Sequence, residues 1–189
     1  MLLNKIKNKL KFFLKKKKIN TPERIFFENK FIDSLKESTI RNALFVGIGP
    51  YTYHYTQLFN KVNIDYHSLD KRPESMLWAF NKEKHKILDI NKNLDNEYDF
   101  KFDLIVFMGM IGYGINNEEE LLISIENLTN IINDDGSLLV AYESKFNIDV
   151  EKTIKQISGL ELNDFLSFDK KTILDDDYYR FYFYKKQLL

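Results

Sequence analysis

The sequence predicts an α/β fold: a doubly wound, mostly parallel sheet that finishes in an antiparallel hairpin, with helices on both faces. Three observations carry this expectation. Five short apolar runs, at 43–47, 64–69, 85–88, 102–108 and 137–142, are dominated by apolar residues, as strands covered on both sides are. Helical stretches at 52–60, 73–80 and 118–133 lie between these runs, and a parallel sheet needs such crossovers. The last two strand-like segments, 160–168 and 178–186, have no helix between them, so as neighbours they must pair antiparallel.

Each element has a local reason. Thr21-Pro22-Glu23 offers an N-cap residue, a proline suited to a first turn and an early acid. The apolar positions that follow, Ile25, Phe26, Phe31, Ile32 and Leu35, suit a helix that covers the sheet. In 118–133, Leu121, Leu122, Ile125, Leu128, Ile131 and Ile132 mark one face, and the residues Asn133 to Gly136 form a stop. A helix at 150–158 precedes the closing hairpin. Asp175-Asp176-Asp177 reads as a solvated turn. Successive carboxylates diverge in an extended chain, and no His-rich metal spacing accompanies them, so no metal site is expected.

At 189 residues with 44% hydrophobic content, the chain is long enough for one core without disulfides. It has no cysteine, which excludes thiolate catalysis and Cys-based zinc sites and fits a cytoplasmic protein. No apolar run reaches the roughly 18 residues of a membrane-spanning helix. The formal charge of zero hides an asymmetry: residues 1–20 hold eight lysines and no acid, leaving twenty basic residues against 28 acids in the remainder. Residues 1–20 therefore read as a basic amphipathic helix, with Leu3, Ile6, Leu10, Phe13 and Leu14 at helical spacing, and 21–189 as a single domain. For residues 1–18 three roles stay open: a peripheral membrane anchor, a contact for an acidic partner or nucleic acid, or a first helix packed on the domain. The acidic body argues against a nucleic-acid groove.

In an open parallel sheet, ligands sit beyond the carboxyl ends of the strands. The first strand ends in Gly47-Ile48-Gly49-Pro50-Tyr51-Thr52, where the glycines allow a sharp turn and a close approach to the backbone. The second ends at Asp70, at a distance from Gly49 that suits a carboxylate accepting both hydroxyls of a ribose. The third ends in Asp89-Ile90, which could receive an exocyclic amine and set an apolar side chain against a flat ring. The fourth runs into Met108-Gly109-Met110-Ile111-Gly112-Tyr113-Gly114, and the fifth into Tyr142-Glu143-Ser144. Singly, each feature also fits a turn or a helix cap. Their order and spacing together point to a nucleoside.

The succession VGIGPYT, SLDKRPE, LDI, FDLIVFMGMIGYG and GSLLVAY, with the closing hairpin, resembles a class I S-adenosylmethionine-dependent methyltransferase over about residues 40–186. The resemblance implies a Rossmann-like fold and S-adenosylmethionine as cofactor. It would place Gly47 and Gly49 beneath the methionine part, Asp70 on the ribose, Asp89 and Ile90 at the adenine, and Met108 near the methyl donor. Two positions depart from the family's pattern: Phe45 stands where an acid is usual, and Tyr51 where the third glycine is. Tyr51, Tyr53, His54 and Tyr55 crowd the same mouth, so Tyr51 would roof the methionine moiety or bind substrate. The candidate bases are His54 and Glu143, with Tyr113 orienting the acceptor.

Two functions of different class follow. One is methyl transfer to a small-molecule or sugar acceptor. The other is a catalytically silent methyltransferase-like domain that binds a partner, which Phe45 and Tyr51 favour. A nicotinamide oxidoreductase is disfavoured by Thr52, where close helix–strand packing wants a small residue, and by the hairpin.

Overall fold

The computed structural model describes residues 20–187. The basic segment expected to form an amphipathic helix lies outside the described residues. Among the described residues no helix is long and apolar enough to cross a membrane.

One eight-stranded sheet organises the chain. Its strands are β1 (Asn42–Val46), β2 (Asp65–Asp70), β3 (His85–Ile87), β4 (Phe102–Met108), β5 (Ile132–Glu143), β6 (Leu160–Leu162), β7 (Lys171–Leu174) and β8 (Tyr179–Lys186). They lie in the order β3-β2-β1-β4-β5-β8-β6, with β7 also paired to β8. The pairs from β3 to β5 are parallel, and every pair made by β8 is antiparallel. The fold expected from the sequence is therefore the fold observed. The chain winds outward from β1 to β3, then returns to lay β4 on the other side of β1. That switch in strand order opens a crevice at the carboxyl ends of β1 and β4.

Alternate residues of the central strands feed two separate cores, as a period of two requires. Ala43, Phe45, Leu104, Val106, Leu139, Ala141, Phe181 and Phe183 face one side. Leu44, Val46, Ile105, Phe107, Leu138, Val140, Tyr182 and Tyr184 face the other. The first side is aromatic and is covered by the opening helical stretch and by α3 (Tyr55–Lys61). That stretch comprises α1 (Pro22–Phe26), a π-helical turn (Phe27–Phe31), α2 (Ile32–Ser34) and a 3-10 turn (Leu35–Glu37). Phe27 and Phe31 stack at 5.4 Å and insert against the sheet, where Phe27 meets Phe45 and Phe31 meets Phe183, each pair at 5.9 Å. Thr21 occupies the N-cap position, but its hydroxyl makes no capping bond; Pro22 and the first-turn acid Glu23 remain as start signals. The second side is mainly aliphatic and is covered by α4 (Glu118–Asn130) and α5 (Val150–Ile154). Asn117 caps α4 by accepting the Glu120 N–H at 2.8 Å.

Three local expectations need correction. The run 160–168 is not one strand: β6 stops at Leu162, and the aromatic residues beyond it form a plug. Phe165 stacks on Phe183 at 5.4 Å, and Phe168 meets Phe26 at 5.2 Å, so core packing rather than strand pairing uses them. The hairpin is made instead by β7 and β8 across Asp175, Asp176 and Asp177, all with positive φ, a conformation Asp tolerates better than most residues. Asp177 also takes a bidentate pair from Arg180 at 2.7 and 2.8 Å, in keeping with a solvated turn. Finally, 73–80 forms only a 3-10 turn (Pro73–Leu77), held by the Ser75 hydroxyl, which lies 2.6 Å from the Arg72 carbonyl and 2.7 Å from His85 Nε2.

Candidate functional site

The crevice at the switch point is a cleft of about 500 Å³, within the usual range for small-ligand sites. Its walls come from the ends of β1, β2, β4 and β5, the loop after β3, and the first turn of α1. Of the residues singled out in the sequence, Gly47, Tyr51, Asp70, Asp89, Ile90, Tyr113 and Glu143 line it together. Gly49, His54 and Met108 do not.

Their placement has clear causes. Met108 is the last residue of β4 and points into the aromatic core. Met110, two residues on, lines the cleft, and its sulfur fills the space above Gly47: a Cβ there would lie 2.2 Å from Sδ. Gly47 also has φ +79, so the turn itself requires glycine. Gly49 makes room for Tyr51, whose ring would come within 2.9 Å of an added Cβ. Thr52, buried, closes this turn by bonding both the N–H and the carbonyl of Gly49 through its hydroxyl at 3.1 and 2.9 Å. The two glycines thus admit side chains of the protein itself, each of which then forms cleft wall. His54 lies behind the wall, with Nε2 3.2 Å from the carboxylate of buried Glu28.

Asp70 is nearly fully buried, and four donors converge on it. Oδ2 accepts from the Ile48 N–H at 3.0 Å and from Arg72 Nη2 at 2.6 Å. Oδ1 accepts from the Arg72 N–H at 2.8 Å and from its Nε at 2.9 Å. Burial alone would raise its pKa, but the Arg72 guanidinium and these N–H groups hold it below the ordinary carboxylate value. Arg72 also bonds the Ile48 carbonyl at 2.7 Å and lies over the Trp78 ring, so it spans the ends of β1 and β2 like a latch.

The loop after β3 is held from behind by α4. Ser124 bonds Asn91 at 2.6 Å and Asn127 bonds the Ile90 carbonyl at 2.9 Å. Asp89 spends one carboxylate oxygen on the Asn91 N–H at 3.1 Å; the other has no partner among the described residues. That leaves an acceptor facing the cleft beside Ile90.

At the opposite end, Glu143 accepts from the hydroxyls of Tyr113 (2.9 Å) and Tyr178 (2.6 Å) and pairs with Lys145. Burial raises its pKa less than these three partners lower it, so it stays ionised below the usual glutamate range. Tyr113 is 65% exposed and forms the rim beside this carboxylate.

Sequence reasoning missed the part contributed by α1. Glu23 and Arg24 line the cleft. Arg24 stacks on the Tyr51 ring at 3.8 Å and donates to the buried Tyr55 hydroxyl at 3.0 Å. The signal available was their place in the first turn of a covering helix, which does not specify where that turn lands. No group of three or more His, Asp or Glu side chains suited to a metal ion occurs among the described residues.

No protein-family model matches the chain, and no curated protein is significantly similar to it in sequence. Solved structures are similar in fold. The N-methyltransferase NodS from Bradyrhizobium japonicum superposes with a TM-score of 0.64 at 13% identity, covering 90% of this chain and 100% of NodS. A TehB-like S-adenosylmethionine-dependent methyltransferase from Corynebacterium glutamicum gives 0.63 at 16% identity, covering 82% and 86%. A Bacteroides fragilis S-adenosylmethionine-dependent methyltransferase in complex with S-adenosylhomocysteine gives 0.62 at 10% identity, covering 89% and 82%. The chain has the fold of these enzymes.

Proposed function

We propose that the chain binds S-adenosylmethionine in the switch-point cleft and transfers its methyl group to a small-molecule or sugar acceptor. The observation that carries this is the convergence of Asp70, Asp89 and Ile90 on one side of a cleft whose other side holds Tyr113 and Glu143. The likeness to solved methyltransferases, one with S-adenosylhomocysteine, supports it. The donor set fits the ligand. The free oxygen of Asp89 suits an exocyclic amine, Ile90 suits a flat ring, and Asp70 suits vicinal hydroxyls once the Arg72 side chain releases it.

When bound, the cofactor supplies a methyl group on a sulfonium, a strong electrophile that needs no metal or redox partner. The residues of the chain hold and orient. Met110 and Gly47 shape the middle of the cleft, between the adenosine side and the rim. Glu143, ionised and tied to two tyrosines and a lysine, is positioned to accept a hydrogen bond from an acceptor N–H or O–H. Its low basicity suits a proton released late, after the new bond has made the acceptor atom acidic. Alignment of acceptor and donor is the main contribution asked of the protein.

A silent binding domain is the competing reading, favoured by one observation: the latch of Arg72 on Asp70 fills the carboxylate's acceptor sites. Calorimetric titration with S-adenosylmethionine, S-adenosylhomocysteine and NAD separates the two. Micromolar binding of the first two without NAD is expected; no binding of any would leave the silent domain standing.

A further inference from the structure

The position usually acidic in the resembled family is Phe45 here, and it is not available to a ligand. It is buried in the aromatic core, 5.2 Å from Tyr55 and 5.9 Å from Phe27. Whatever holds the polar end of a ligand in this part of the cleft must come from elsewhere. We propose that Glu23 and Arg24 form a clamp for an α-amino-acid zwitterion, Arg24 taking the carboxylate and Glu23 the ammonium. This rests on the proposed S-adenosylmethionine site and names which residues recognise the amino-acid end.

Three observations support it. Both side chains line the same cleft as Asp70 and Asp89, yet neither makes an ion pair among the described residues. Glu23 has no hydrogen-bond partner for its carboxylate there, although it is half-buried beside Tyr179. A carboxylate that lines the cleft with no protein donor keeps its acceptor sites for a cationic group of a ligand. Arg24, by contrast, is held in position on two sides. Its guanidinium carbon lies 3.8 Å from the centre of the Tyr51 ring, and Nη1 reaches the Tyr55 hydroxyl at 3.0 Å. The rest of its donors remain for a ligand, and a guanidinium presents them as a fork matched to a carboxylate.

The pairing of signs selects the ligand. A pyrophosphate would meet Glu23 with like charge, and a simple cation would meet Arg24. A group carrying one negative and one positive charge on a single carbon satisfies both neighbours at once. The clamp also explains the second glycine: Gly49 makes room for Tyr51, and Tyr51 is the platform on which Arg24 lies.

The test measures affinity of the full chain for S-adenosylhomocysteine, its carboxyl methyl ester and 5′-methylthioadenosine, which lacks the amino-acid end. Wild-type protein is expected to bind S-adenosylhomocysteine about ten-fold or more tightly than the other two, the scale of a charge-assisted hydrogen bond. In Arg24→Met, which keeps the aliphatic stem on Tyr51, the advantage over the methyl ester should fall to within about two-fold while 5′-methylthioadenosine binds as before. Arg24→Lys should recover part of it. Glu23→Gln, which touches no other bond, should cost S-adenosylhomocysteine about three-fold and the truncated ligand nothing. Equal ratios in wild type and Arg24→Met, or equal losses for all three ligands, would overturn the clamp while leaving the adenosine site intact. Failure of wild-type protein to bind any of the three would overturn the site itself, and the clamp with it.

Discussion

The two halves of the cleft are built in different ways. The half proposed for adenosine stands on strand ends: Asp70 closes β2, and Asp89 lies two residues beyond the end of β3. The half proposed for the amino-acid end is brought by the covering helix, with Glu23 and Arg24 in the first turn of α1 and Tyr51 in a loop that bends back over Gly49. A strand end is fixed by register with its neighbours, whereas a helix turn is fixed by side-chain packing. The first half therefore follows from spacing along the chain, and the second from the aromatic core beneath it.

The sharpest way to break this contrast is to force the family's usual acid into the amino-acid half. Phe45→Glu places a carboxylate among Phe27, Tyr55, Phe59 and Tyr66 and removes a buried ring. The loss of a buried Phe alone costs about 3–5 kcal/mol, and the unpaired charge adds to it. Denaturant unfolding should show that loss or fail to find a folded state. A variant that stayed folded and bound S-adenosylhomocysteine more tightly would show that the floor of this half is not part of the core.

Next in size is Asp70→Ala, expected to weaken S-adenosylhomocysteine and 5′-methylthioadenosine alike by about 100-fold, since two hydrogen bonds to a charged acceptor are lost. A loss confined to S-adenosylhomocysteine would mean that Asp70 serves the amino-acid end and that the division into halves is misplaced. Asp89→Ala should be milder, about ten-fold for both ligands and absent for the inosine analogue, which has no exocyclic amine. Isothermal titration reads all of these.

The same contrast marks what was legible in the sequence. The mostly parallel sheet with its antiparallel end, and the places of Asp70, Asp89, Ile90, Tyr113 and Glu143 in the cleft, were legible because each lies on or next to a short apolar run. Met108 was misplaced by two residues for the same reason in reverse. β4 continues to Met108, and an alternating strand must turn that side chain into one core, which leaves Met110 to reach the cleft. The aromatic run after residue 162 looked like strand because Phe favours sheets, but four rings at this edge pack on one another and take it out of the ladder. Arg72 and Arg24 were not legible as parts of the site. Each acts through contacts that local pattern does not encode: one folds back on Asp70, and the other stacks on Tyr51.

The smallest expected effect concerns the latch. Arg72→Met removes two of the four hydrogen bonds on Asp70 and keeps an apolar stem over Trp78. A ribose then has no side-chain bonds to displace, so affinity for adenosine ligands should rise about three-fold, even though the protein loses a partly exposed ion pair. The pH dependence gives a second, independent sign. In wild type the Asp70 pKa is depressed, so its contribution to folding is complete above the ordinary carboxylate value near 3.8 and is lost as pH falls through the lower folded value. Without the guanidinium, burial raises that pKa and only backbone N–H groups oppose it. Both the acid unfolding transition and the loss of ligand binding should then move to higher pH. A variant that bound less tightly at neutral pH would instead make Arg72 part of the binding surface, a donor that stays in place beside the ribose rather than a side chain that yields to it.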